Sequence, residues 1–339
     1  VLRTPPERRS RAALRKLADG ASARTVFVAL AANLVITVAK LIAGLVSGSS
    51  AMLAEAAHSF ADSLNEVFLG ISLRRARRGP DATHPLGHGR ERFLWALMAA
   101  IASFLIGGCF SVVMAIREFG SHETLGNALA AWIVLGVSFA ADGASLMQSL
   151  AQARREARER GRSVWGHVLR SSEPLVRAIV VEDTAALIGV VIAAVGLLLR
   201  ETLGTNIPDA VASLLIGLLL AATAFGLARP LADYLVGRSL PPELLEELQR
   251  ILAASPAIEQ VVTLQAVYTG PEEVIVAAKV NPSKAATVEE LAKAMDDLDH
   301  QLRAASEFVA DVYLDVTMHR IDHQSSAGTI HPLRDEWNR

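Results

Sequence analysis

Of 339 residues only one, Cys109, is a cysteine, which excludes an internal disulfide framework and any cysteine-rich metal cluster. Aromatic residues make up 5% and charged residues 20%, below the quarter typical of soluble domains. The formal net charge is −2, so an overall basic footprint for nucleic acid is missing. So is the His-Glu-x-x-His run of helical zinc proteases. What is abundant is apolar: 52% of residues, arranged in long blocks rather than short periodic stretches, with a mean hydropathy of +0.35. The remaining class is a polytopic membrane protein with a soluble appendage.

A membrane helix needs about 20 mostly apolar residues. Four stretches qualify plainly, at about 25–46, 93–116, 127–150 and 208–228. A fifth, 175–199, is apolar except for Glu182, Asp183 and Thr184. The sixth, 51–73, fails a simple hydropathy window because it carries Glu55, His58, Asp62, Asn65 and Glu66. Those five fall on one helical stripe, and Phe60, Leu64 and Phe68 on another, so the polar groups share a face. Ionisable groups at membrane depth face a bundle interior or a wet cavity. Six spans are expected.

Loop charge gives the orientation. Seven Lys/Arg precede residue 25, six arginines lie in 74–92 and seven in 154–177. The alternate loops hold only Arg117 and Arg200. The positive-inside rule then places both termini in the cytoplasm. Compact loops and the Ala/Arg-rich composition point to a bacterial plasma membrane. The expected division is a basic cytoplasmic segment (1–24), a six-helix transmembrane domain (25–240), a cytoplasmic domain (241–319) and a polar tail (320–339).

Beyond Arg229 the pattern changes. Pro241-Pro242 opens a helix with Leu244, Leu245, Leu248, Ile251 and Leu252 on one face. Strands are expected at 260–268 and 273–281, the second turning Val274, Val276, Ala278 and Val280 inward. Thr287 and Glu290 form a capping box for a helix burying Val288, Leu291, Met295, Leu298 and Leu302. A last strand alternates Val312, Leu314, Val316 and Met318. The order α-β-β-α-β predicts a small two-layer α+β domain.

His58 and Asp62 stand four apart, so both side chains leave one helix face and can share a ligand. A neutral imidazole and a carboxylate both suit first-row divalent ions such as zinc. Glu182 and Asp183 are the partners on offer from the fifth helix. The competing reading is a buried polar network that only locks helix packing. Ser138, Asp142, Asn33 and Lys40 are weaker signals, for which local pairing or snorkelling is the simpler account. In the 74–92 loop, Asp81, His84 and His88 can hold a metal if Pro85 and Gly87 fold the loop back; a solvated loop whose histidines cap the next helix is the alternative. His122, His167, His300, His319, His323 and His331 read as surface residues.

The string Ser50-Ala-Met-Leu-Ala-Glu-Ala-Ala-His58-Ser-Phe-Ala-Asp62, followed by His84-Pro-Leu-Gly-His88-Gly, resembles the cation diffusion facilitator family. Val181-Glu182-Asp183-Thr-Ala-Ala-Leu-Ile-Gly189 brings the match nearest to its zinc-transporter-nine branch. The resemblance runs from the first helix to the last strand. It implies a homodimer of six-helix protomers, each with a cytoplasmic ferredoxin-like domain. It also implies export of zinc or similar divalent ions, commonly in exchange for protons, with no organic cofactor. The partners so implied are divalent ions, protons and membrane lipid, with no nucleic acid. His58, Asp62 and Asp183 match the family's transport ligands, and Asp81, His84 and His88 its secondary site.

Two departures stand out. The fourth transport ligand, a histidine four residues before the helix-five aspartate in the family, is Ile179 here, with Glu182 as the natural substitute and Asp142 as a possible accessory. The resulting donor set is harder than usual, which brings Mn2+ or Co2+ within reach beside Zn2+. Where metal-binding relatives carry histidines on the C-terminal strands, this chain has Val262, Ala278 and Asp315. From other classes, an intramembrane metalloenzyme and a non-transporting metal-binding scaffold stay open.

Overall fold

The computed structural model describes residues 30–31, 33–76, 78–120, 126, 128–159, 174–271, 273–283, 287–306 and 308–318. They form two compact units: Val1–Arg75 with Leu94–Ala232, and Ala76–Phe93 with Asp233–Arg339. The loop carrying Asp81, His84 and His88 therefore belongs with the C-terminal elements.

The first unit is helical. Its elements are α1 (Asn33–Ser47), α2 (Ser50–Arg75), α3 (Glu91–Phe119), α4 (Ala128–Glu159), α5 (Pro174–Leu203) and α6 (Ile207–Val236). Helices α3 to α6 contain the four stretches long and apolar enough to cross a membrane. As expected, polar α2 is not among them; neither is α1, expected to span at about 25–46, whose described part Asn33–Ser47 is a shorter apolar helix. Large apolar side chains such as Val35, Ile116, Leu129 and Phe225 project outward, each at least 65% exposed. Between their ends such helices satisfy their backbone N–H and C=O groups within the element, the requirement that lipid imposes.

Small residues set the packing. Gly107 and Gly108 lie in a π-helical turn of α3, Ser103–Cys109, that sequence periodicity did not predict. A Cβ on Gly107 would meet Leu220 Cδ1 at 2.9 Å, and one on Gly217 would meet Gly108 O at 3.0 Å. Only hydrogen atoms at these positions let α3 and α6 approach so closely. Ser213 Oγ donates to Ser111 O across the same seam at 2.9 Å. Between α1 and α2 the chain turns at Gly48, whose φ of +66° is a left-handed conformation that a side chain disfavours.

The ends opposite the arginine-rich loops hold a network that overturns one expectation. Arg200, counted above as a loop charge, lies within α5 and is 2% exposed. Its guanidinium donates to Gly48 O at 2.6 Å and Asp209 at 3.2 Å, and lies 3.3 Å from Glu118. Asp209, fully buried, accepts from Ser49 Oγ at 2.7 Å, Ser50 N at 2.6 Å and Ser50 Oγ at 3.1 Å. A carboxylate from α6 thus caps the N-terminus of α2, where orphan N–H groups and the helix dipole favour negative charge.

The second unit contains α7 (Pro242–Ala253), β1 (Ile258–Gly270), β2 (Glu273–Pro282), α8 (Val288–Ala305) and β3 (Val309–Val316). The sheet order is β1-β2-β3, with β1 and β2 antiparallel and β2 and β3 parallel. The inward set Val274, Val276, Ala278 and Val280 is at most 3% exposed, matching the alternation in the sequence. Leu248 and Leu252 of α7 and Leu298 and Leu302 of α8 are buried. The capping box forms: Thr287 Oγ1 accepts from Glu290 N, and Glu290 accepts from Thr287 N at 2.8 Å. These bonds hold the Glu290 carboxyl below its ordinary value.

Three residues depart from the sequence reading. Val288, expected inside, is 87% exposed because it occupies the first turn of α8, before that helix reaches the sheet. Met318 lies beyond the end of β3 and is 81% exposed. Val316, at the strand's last position, is 40% exposed.

Candidate metal centre

The polar stripe of α2 faces inward. Glu55 is fully buried and His58 is 2% exposed. His58 Nδ1 lies 3.6 Å from Asp62 Oδ1, beyond hydrogen-bond reach, and neither ring nitrogen has a hydrogen-bond partner among the described residues. An uncompensated buried imidazole is costly, and native interiors rarely tolerate one without a ligand or water to satisfy it. From α5, Asp183 Oδ1 accepts from Ser145 Oγ at 3.1 Å while Oδ2 has no hydrogen-bond partner among the described residues.

Glu182 sits differently. Its Oε1 accepts from Asn65 Nδ2 at 3.0 Å, one turn along α2 from Asp62. Among the described residues, no three ligand atoms of His58, Asp62, Glu182 and Asp183 lie within 4.8 Å of one another. The structure brings His58 and Asp62 together and leaves the α5 carboxylates on their own hydroxyl and amide partners.

Neighbouring groups complete the polar interior. Lys40, read from sequence as able to snorkel, is 1% exposed and donates to Glu55 Oε2 at 3.0 Å. Its ammonium is 3.9 Å from Asp142 Oδ2. Asn33 Nδ2 donates to Glu66 Oε1 at 2.8 Å. Local pairing, the other half of the sequence reading, is the arrangement found. Ser138 Oγ is buried without a hydrogen-bond partner among the described residues.

In the second unit, Asp81, His84 and His88 form the one group of three or more such residues, among those described, whose ligand atoms all lie within 4.8 Å. The loop does fold back, at Gly87 with φ +78°. Asp81 Oδ1 accepts from Thr83 N, Thr83 Oγ1 and His84 N at 2.7–2.8 Å. Its Oδ2 lies 3.0 Å from His88 Nε2, and His88 Nδ1 lies 2.9 Å from Glu91 Oε1. The His88 hydrogen bond, with those from Thr83 and His84, holds the Asp81 carboxyl well below the usual carboxylate range. The bonds to Asp81 and then Glu91 raise His88 above the ordinary imidazole value. A carboxylate and two imidazoles at this spacing form a ready three-donor set for a divalent ion.

The C-terminal strands carry no comparable cluster among the described residues. Ala278 faces the core, and Asp315 lies 3.8 Å from Lys279. His122, His167, His319, His323 and His331 lie outside the described residues. The Arg200–Asp209 network and the Lys40–Glu55 pair were missed as such. Their one sequence signal was a charge set inside an otherwise apolar helix.

Residues 26–236 match the family described as cation efflux transmembrane domain. The chain belongs to the cation efflux family. The proton-coupled zinc antiporter SLC30A9, mitochondrial, of Xenopus laevis is 30% identical over 258 residues, covering 76% of this chain and 46% of that protein. Metal tolerance protein C4 of Arabidopsis thaliana is 30% identical over 253 residues, 75% of this chain and 55% of that protein. The manganese efflux system protein MneP of Bacillus subtilis is 24% identical over 254 residues, 72% and 79% of the two chains. This cation efflux protein thus spans about half the length of the first two relatives. It is an integral membrane protein of a transporter family rather than an enzyme, and the zinc-transporter-nine resemblance holds.

Proposed function

We propose that this cation efflux protein exports Zn2+ from the cytoplasm by exchange with protons, through a site built from His58, Asp62, Asp183 and Glu182. The observation that carries this reading is the buried imidazole of His58, with both nitrogens unpartnered and Asp62 only 3.6 Å away. A metal ligand must shed its proton before it binds. Metal and protons therefore compete for the same lone pairs, which is the physical basis of exchange. Glu182 leaves Asn65 to complete the set when the cargo arrives. Family membership and the similarity to a proton-coupled zinc antiporter support zinc and proton coupling.

The same reading takes α1 to α6 as six spans with both termini cytoplasmic, in a bacterial plasma membrane. The C-terminal unit is ferredoxin-like and serves a homodimer. Domain limits follow the composition: 25–240 for transport and 241–319 for the cytoplasmic part. Asp81, His84 and His88 hold a second ion at the cytoplasmic loop.

A second cargo, Mn2+, is favoured by one feature: the family's fourth-ligand position is Ile179 and the substitute is the carboxylate of Glu182. Harder oxygen donors suit manganese, and a manganese efflux protein is among the relatives. Uptake of zinc, manganese and cobalt into proteoliposomes, for the parent and Glu182→Ala, tests both. Zinc flux lost in the variant supports Glu182 as the fourth ligand. Flux unchanged by the variant removes Glu182 from the site, and manganese flux exceeding zinc reverses the cargo assignment.

A further inference from the structure

Lys40 is the largest fully buried charged side chain among the described residues, and transport as proposed does not use it. Its α1 backbone sends the ammonium between two carboxylates on different helices: Glu55 Oε2 of α2 at 3.0 Å and Asp142 Oδ2 of α4 at 3.9 Å. On α2, Glu55 lies one turn before His58, on the same polar stripe. An ammonium has three N–H donors, and one hydrogen bond, to Glu55, is made by this one. Around it, Glu55 Oε1 and Asp142 Oδ2 are buried acceptors without a hydrogen-bond partner among the described residues. Gly189 packs against that carboxylate: a Cβ there would fall on Glu55 Oε1. The ammonium therefore has a fixed anchor on one side and unfilled carboxylate oxygen on the other.

We propose that Lys40 is a tethered counter-cation of the transport site. Resting on the proposed site at His58, Asp62 and Asp183, it stays anchored on Glu55, holds Asp142 when cargo is absent and gives up Asp142 when a divalent ion enters. A fixed positive charge beside a cation site opposes binding of the cargo and speeds its release. A buried pair serving packing alone has no such effect on affinity.

The test is zinc affinity in the detergent-solubilised full chain, by chelator competition, in a His88→Ala background that silences the loop site. Lys40→Met is expected to bind zinc at least tenfold more tightly and to transport it at a lower maximal rate. Lys40→Arg, with the charge retained, is expected to bring affinity back to within about threefold of the parent. Because Lys40→Met strands Glu55 and can fail to fold, Lys40→Met/Glu55→Gln removes the pair together. With the positive end of the pair facing Asp142, this double variant still tightens binding, by at least threefold. Unchanged or weaker affinity in either folded variant overturns the inference. Asp62→Asn separates that failure from a wrong site: zinc binding retained in Asp62→Asn overturns the transport site itself.

Discussion

Asp209→Asn isolates the charge at the α2 N-terminus with little change of shape. The carboxylate is fully buried and takes bonds from Ser49, Ser50 and Arg200 at 2.6–3.2 Å. An amide keeps one acceptor oxygen but presents an N–H group either at Oδ2, where Ser50 N and the guanidinium now donate, or at Oδ1, where Ser49 Oγ donates. Breaking a buried ion pair from one side costs about 3–5 kcal/mol, because the surviving charge is left uncompensated. Arg200 keeps Glu118 at 3.3 Å and Gly48 O at 2.6 Å, which places the loss at the lower end of that range. At about 2–4 °C per kcal/mol for a unit of this size, the midpoint falls by roughly 6–12 °C. Tryptophan-detected thermal unfolding in detergent reads it. A fall under about 2 °C would refute the claim that this network is buried and shared between α2, α5 and α6.

Gly189→Ala places a methyl group on Glu55 Oε1 and forces that carboxylate from Lys40. Overpacking of this kind costs about 1–3 kcal/mol, so both thermal stability and zinc flux should drop, and an unchanged flux would show that the Glu55 position is slack. At Glu290 the capping bonds depress the folded value, so their stabilisation is present above the ordinary glutamate value of about 4.3 and is lost as pH falls through the depressed one. Amide exchange at 288–292, corrected for intrinsic rates, should lose protection only in that acid window. Loss beginning near neutrality would contradict the assignment. Glu290→Gln should remove the pH dependence.

How much of this was legible beforehand depended on whether a single element carried the information. The α2 stripe was readable because Glu55, His58, Asp62 and Asn65 repeat at helical spacing, and their inward orientation follows from the cost of charge at depth. The alternation in β2 and the Thr287–Glu290 box are likewise local signals. Arg200 was misread because charge counting assigns a basic residue near a span end to a loop, whereas its partner Asp209 belongs to another helix. For Lys40 the sequence left pairing and snorkelling both open; pairing is found, and the partner, Glu55 fifteen residues away on another helix, was not readable. Glu182 was placed by analogy with a missing histidine. The Asn65 amide that holds it was visible in the stripe, but the pairing across helices was not.

The most direct measurement is zinc uptake into proteoliposomes with a pH-sensitive dye inside, run on the parent and on Asp62→Ala at matched folded protein. Zinc uptake accompanied by opposite proton movement, both lost in Asp62→Ala, is the expected result. Zinc uptake without proton movement would contradict exchange, and proton-linked uptake that survives Asp62→Ala would contradict the site at His58 and Asp62.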